Sequence, residues 1–206
     1  MKLLETEMKK ELSRLTNNTV NKGVLIVFTG ASGVGNGTVM KKILAADPNN
    51  WLSVSMTTRA PRAGEVAGVD YNYVSVEEFK SMMAEDAFLE SACYCKNYYG
   101  SPKAPVEENL KNGKNVFLEI EVQGFEQVRE LYPDCLSIFL LPPSIEVLEQ
   151  RLRGRGTEKE EVIQDRLNTA LREISRSNEY KYNVVNDDID RAVEEILNIV
   201  KNERAK

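Results

Sequence analysis

Residues 24–38 read VLIVFTGASGVGNGT, and no other stretch of the 206-residue chain limits its fold so strongly. Six apolar or β-branched residues in an unbroken run cannot alternate between core and water. Residues 24–29 are therefore predicted to form a strand covered on both faces, as in a parallel sheet. Four glycines follow between positions 30 and 37, and TVMKKIL then carries helical spacing, which predicts a helix from about residue 37 to 46. Strand, glycine loop and helix start, in that order, aim backbone N–H groups and the positive end of a helix dipole at one point. An anion such as a phosphate is stabilised there.

The same rhythm runs on. Continuous apolar runs at 115–120 (NVFLEI) and 136–141 (LSIFLL) predict further buried strands, the second stopped by Pro142-Pro143. Shorter strands are expected at 51–56 and near 184–185. Helices are expected at about 105–112, 123–132, 144–153, from about 162 to 182, and at 189–202. Strands alternating with helices predict an α/β fold with a mainly parallel central sheet. Residues 57–104 break that rhythm, with strands at 71–74 and 88–94, a helix capped by Ser75 with Glu78 three residues on, and a turn at 97–100. This block reads as an inserted subdomain. The expected organisation is an N-terminal extension, 1–21, and one domain, 22–206, whose core is 22–56 and 105–206 around an insert at about 57–104. In the extension Leu4, Met8, Leu12 and Leu15 have helical spacing, and TNNTVN at 16–21 reads as a linker.

Composition removes several chemistries. The chain has no histidine, which excludes His-based triads, imidazole acid–base catalysis and every His-containing metal site. Its cysteines, Cys93, Cys95 and Cys135, lack the paired spacing of a zinc site and read as free thiols of a reducing compartment. A net charge of −5 speaks against a nucleic-acid partner. No apolar run approaches the ~20 residues of a membrane span, and charges crowd the first fifteen residues too densely for a signal peptide. A soluble, cytoplasmic protein is expected.

The glycine loop fits the phosphate-binding pattern G-x-x-x-x-G-K-[ST] from Gly30 to Gly35, with Asn36 where the lysine belongs. The hydroxyl falls one place late, on Thr38 after Gly37. That spacing resembles the G-K-G-T variant of nucleoside monophosphate kinases. Two rival readings fail on register. Asn36-Gly37 is a hairpin-turn dipeptide, yet the spacing after it is helical. TGASGVG resembles the opening of short-chain dehydrogenases, and Tyr99…Lys103 even has their YxxxK spacing. The later glycines of that pattern, however, would fall on Val34 and Asn36, and Tyr99 comes too early.

A second motif is decisive. Residues 57–74, TTRAPRAGEVAGVDYNYV, set Arg59 and Arg62 three apart ahead of Glu65, Gly68 and Tyr71. Two guanidinium forks can grip a dianionic monophosphate, and a tyrosine hydroxyl adds a neutral donor. The stretch resembles the signature of guanylate kinases. Further segments are similar in the same order: Ser55 at a strand end, Phe88-Leu89-Glu90, Asn97-Tyr98-Tyr99-Gly100-Ser101, the acidic run Leu118-Glu119-Ile120-Glu121-Val122-Gln123-Gly124, and the arginines of RLRGRGT and QDRL. The resemblance spans about residues 22–204.

What it implies is specific. ATP would lie on Gly30, Ala31, Ser32, Gly33, Val34, Gly35, Asn36, Gly37 and Thr38. GMP would be held by Ser55, Arg59, Arg62, Tyr71, Glu90, Tyr99, Ser101 and Glu121, with carboxylates on the guanine N1–H and 2-amino edge. Glu119 would face Mg2+ through water, with Thr38 as a second donor. Arg151, Arg155 and Arg166 would neutralise the transferring phosphoryl group; the first two belong to a mobile lid at about 151–162. Asn186 would lie near the adenine. The partners implied are ATP and GMP, with no nucleic acid or membrane, and the chain is expected as a monomer or homodimer.

Asn36 bears on rate. A neutral, shorter side chain cannot follow negative charge onto the leaving oxygen, and losing one such donor costs about 3–4 kcal/mol, or ~10²–10³ in turnover. Lys41 and Lys42 are expected to point away from the loop. Two readings therefore stand side by side, an impaired guanylate kinase and a catalytically silent module that binds GMP or a phosphorylated partner.

Overall fold

The computed structural model describes residues 23–94, 96–154 and 160–206. Residues 1–22, with the expected extension, Cys95, and residues 155–159 of the expected lid, including Arg155, lie outside the described residues. Among the described residues nine strands form two sheets. The first is wholly parallel, in the order β2-β7-β1-β8-β9, from Val24–Gly30 (β1), Asn50–Leu52 (β2), Asn115–Glu119 (β7), Leu136–Leu141 (β8) and Tyr182–Val185 (β9).

β1 is central, and its sequence shows why. Leu25 and Val27 turn to one face and meet Val106, Phe125, Val128 and Phe139. Ile26 and Phe28 turn to the other and meet Met40, Ile43, Ile138 and Ile196. Both faces are covered, so the run is apolar from Val24 to Phe28, and the buried Thr29 that ends it donates its hydroxyl to the Ile120 carbonyl at 2.8 Å. Helices Asn36–Ala46 (α1), Ile145–Arg153 (α5), Glu160–Ile174 (α6) and Ile189–Arg204 (α7) supply the second layer of contacts. Helices Lys103–Lys111 (α3) and Val122–Leu131 (α4) supply the first. Among the described residues no helix is long and apolar enough to cross a membrane.

The second sheet has the order β4-β3-β6-β5, from Met56–Thr57 (β3), Asn72–Tyr73 (β4), Phe88–Tyr94 (β5) and Asn97–Pro102 (β6), with helix Val76–Ala84 (α2) beside it. β6 runs antiparallel to both β3 and β5. Three expectations change here. The single strand at 51–56 is two strands in different sheets, parted at 53–55. The turn at 97–100 belongs to β6. The helix expected to reach residue 182 stops at Ile174, followed by a turn of 3-10 helix at Ser177–Glu179. The predicted cap of α2 is present, with Ser75 Oγ accepting the Glu78 N–H at 3.0 Å.

Candidate active site

In a parallel sheet, ligands collect beyond the carboxyl ends of the strands. β1 and β7 are neighbours in register, Phe28 opposite Glu119, so the glycine loop that leaves β1 and the acidic run that leaves β7 emerge side by side.

The loop is tightly tied. Gly33 and Gly35 have φ of 90° and 105°, a left-handed conformation that side chains resist. Close approach adds to this, since a Cβ at Gly33 would lie 2.6 Å from Leu152 Cδ2. The N–H groups of Thr38 and Val39 both return to the Gly35 carbonyl, at 3.1 and 3.2 Å, and start α1. The Val34 carbonyl accepts from Asn186 Nδ2 at 2.8 Å and Arg151 Nη1 at 3.2 Å, while Arg151 Nη2 donates to the Asn186 carbonyl at 2.9 Å. Arg151 and the buried Asn186 thus brace the loop from behind.

Ser32 is held at both ends by α6. Its N–H donates to Glu173 Oε2 at 2.8 Å, and its Oγ accepts from Arg166 Nε at 3.2 Å. Glu173 escaped the sequence reading. It lies seven residues after Arg166, two helical turns along the same face, and that spacing is the signal that could have found it. Burial raises its carboxyl above the usual range, and the Glu121 charge adds to this against the Ser32 N–H.

Asn36 does not reach outward. Its Nδ2 donates to the Gly30 carbonyl at 3.2 Å, and its Oδ1 is buried without a hydrogen-bond partner. The amide lies across the loop so closely that a Cβ at Gly30 would be 2.0 Å from Oδ1. A pocket of about 400 Å³ opens over the loop, lined by residues 31–33 and 35–38 together with Lys41 and Arg166. The expectation that Lys41 turns away is overturned. It follows Thr38 by three residues, hence shares its face of α1. Lys42 does point elsewhere, to Asp190.

The second sheet carries the arginine–tyrosine group. Arg59 is ion-paired to Glu65 at 2.8 Å, and its guanidinium lies 5.4 Å from the centre of the Tyr71 ring. Tyr71 and Tyr99 meet edge to face at 6.0 Å. Glu65 also accepts the Arg62 N–H at 2.8 Å and the Tyr73 hydroxyl at 2.7 Å, so one carboxylate sets the whole arginine loop. Arg59 first, then these donors, hold Glu65 down to about 2. Burial, chiefly, and the Glu65 bond push Tyr73 up to about 12.

The carboxylates form the third group. Glu90 is only 7% exposed and accepts from Ser101 Oγ at 2.7 Å, its cross-strand partner. Burial raises its carboxyl, opposed by the Ser101 bonds and assisted by the charge of Glu121. Burial likewise raises Glu119 and Glu121. Ser55 immediately precedes β3, whose Met56 pairs with Gly100, the neighbour of Ser101. Gly124, at the start of α4, lies under Glu90, where a Cβ would be 2.8 Å from Oε2. Its sequence neighbours gave no hint of that contact.

The comparisons with known proteins follow the same lines. A family model described as guanylate kinase matches residues 22–203. The chain is 48% identical over 187 residues to a guanylate kinase of Synechocystis sp., covering 91% of this chain and 98% of the relative. It is 48% identical over 185 residues to the guanylate kinase of Oceanobacillus iheyensis, with 90% of each covered. A crystal structure of guanylate kinase from Anaplasma phagocytophilum superposes with a TM-score of 0.73 at 36% identity, covering 89% of this chain and 87% of that one. With the loop on β1, the arginine–tyrosine group and the carboxylates Glu90, Glu119 and Glu121 in one fold, the chain belongs to the guanylate kinase family.

Proposed function

We propose that this chain converts ATP and GMP to ADP and GDP by in-line transfer. A phosphate oxygen of GMP forms a bond to the γ-phosphorus as the bond to the β–γ bridging oxygen breaks, and ADP leaves with that electron pair. The observation that carries the reading is the Glu90–Ser101 pair at 2.7 Å, a buried carboxylate beside Glu121. Guanine offers N1–H and an amino group on one edge, and adenine has no such pair of donors.

Each group has a task. Arg59, Arg62, Tyr71 and Tyr99 hold the monophosphate, with Glu65 pre-setting the two arginines. Ser55, Glu90, Ser101 and Glu121 select the base. The loop from Gly30 to Thr38 wraps the ATP phosphates, Arg166 adds positive charge over them, and Arg151 keeps the loop in shape. Residues 57–104 act as the GMP-binding unit, and 151–162, with Arg155, as the lid. We read the activity as cytoplasmic, in keeping with a chain that has no helix able to cross a membrane among its described residues. Mg2+ fits the donors present, the Thr38 hydroxyl and the Glu119 carboxylate. Such an ion keeps waters and takes phosphate oxygens, so one or two protein oxygens suffice. When bound with ATP it supplies neutralising charge to the outer phosphates.

The test is a coupled ADP-release assay on this chain beside Asn36→Lys, with GMP and with AMP. Turnover with GMP only is expected, rising ~10²–10³-fold in the lysine version. Asn36 turned onto Gly30 favours one further reading, a silent GMP-binding module. Absence of turnover in both versions, with GMP still bound, would select it. Equal affinities for GMP and AMP would sink the guanine assignment.

A further inference from the structure

A nucleotide polyphosphate brings several negative charges to the glycine loop, and the loop's own side chain at position 36 is neutral and committed to the Gly30 carbonyl. Two cationic side chains line the pocket over the loop, Lys41 and Arg166. Arg166 is already engaged with Ser32 Oγ at 3.2 Å. Lys41 differs. It is exposed, it stands one turn beyond Gly37 and Thr38 on the same face of α1, and among the described residues it makes no ion pair. Its neighbour Lys42, one residue on, is tied to Asp190.

We propose that Lys41 is the cation that receives the nucleotide phosphates in this chain, supplying from α1 the charge that Asn36 does not. The inference rests on the kinase reading above. A lysine is a compact charge on a flexible stem, and this one is exposed. It therefore acts on binding of the polyphosphate more than on the geometry of transfer. Its effect belongs in affinity for ADP, whereas that of a lysine at position 36 belongs in turnover.

The experiment is calorimetric titration of ADP, with magnesium, into this chain, Lys41→Met, Lys41→Arg, Asn36→Lys and the double variant Asn36→Lys/Lys41→Met. Lys41→Met is expected to bind ADP about tenfold more weakly, and Lys41→Arg within about threefold of the parent. GMP affinity stays unchanged in both, which reports intact folding. With lysine at 36 the charge is already answered, so Lys41→Met then costs no more than about threefold. Lys41→Met binding ADP as tightly as the parent overturns the proposal, as does an equal loss in both backgrounds or a loss that arginine fails to restore. If the parent binds GMP and ADP but Lys41→Met has no effect, only this inference fails. If the parent binds no ADP, the kinase reading fails with it.

Discussion

At the scale of single residues, Glu90, the carboxylate proposed to select the base, depends on a glycine with no polar chemistry of its own. Gly124 sits where a Cβ would come within 2.8 Å of Glu90 Oε2 and 3.2 Å of its carboxyl carbon. Alanine is the better helix former by about 1 kcal/mol, so Gly124→Ala leaves α4 sound while forcing Glu90 off its Ser101 partner. GMP affinity should fall about 10- to 100-fold, the worth of a charge-assisted hydrogen bond, with ADP affinity unchanged. Calorimetry with the two nucleotides checks both. A Gly124→Ala chain that binds GMP normally would show that Glu90 has room to move. Glu65 makes a parallel case. It holds Arg59, the Arg62 backbone and Tyr73 at once. Glu65→Gln should raise KM for GMP with kcat nearly kept, because it loosens the arginines without touching the ATP loop. A fall in kcat with unchanged KM would count against that role.

At the scale of elements, α6 and the loop behave as one piece. Glu173 accepts the Ser32 N–H at 2.8 Å from a position 141 residues away in sequence. Glu173→Ala leaves that N–H without its partner and should lower stability by about 1–3 kcal/mol. Glu173→Gln keeps an accepting oxygen and should lose much less. Urea denaturation of the two variants checks the ordering, and equal losses would mean that packing, not the bond, is what matters. This clamp also marks where sequence reading ran out. The strand–loop–helix unit at 24–46 was legible because apolar continuity, glycines and helical spacing are local. The braces on the loop were not. Arg151 reaches the Val34 carbonyl across 117 residues, and read from its motif it is simply a lid arginine. Local pattern likewise merged β2 with β3, since the apolar signal at 51–56 cannot register a backbone leaving one sheet for another. The turn signal in Asn97-Tyr98-Tyr99-Gly100 was overridden by pairing with β3 and β5. Helix direction alone turns Lys41 from the loop, whereas the pocket it lines lies over the first turn of α1 and is invisible to local spacing.

Across the whole molecule, folding and the proposed guanine recognition make opposite demands on the same carboxylates. Glu90, Glu119, Glu121 and Glu173 are all raised above the ordinary value of 4.5, in each case chiefly by burial. Between that unfolded value and their folded ones, the native chain binds more protons than the unfolded chain. Stability from these groups is therefore fully present below 4.5 and declines as pH rises through the folded values. Glu65, Glu160 and Glu203 have the opposite sign, being held down to about 2 by ion pairs and hydrogen bonds, but they titrate only below 4.5 and leave that window alone. If guanine is held as proposed, GMP needs Glu90 and Glu121 ionised, so its affinity should rise over the pH range in which the free protein loses stability. Thermal melts from pH 5 to pH 8, with and without saturating GMP, should show a falling Tm for the free chain and a widening upward shift on adding GMP. With no histidine in the chain, imidazole cannot produce this pattern. The nucleotide's own phosphate also titrates near pH 6, so guanosine serves as the control ligand. Its affinity, which the phosphate cannot influence, should rise with pH in parallel, and a flat guanosine profile would remove the carboxylates as the cause.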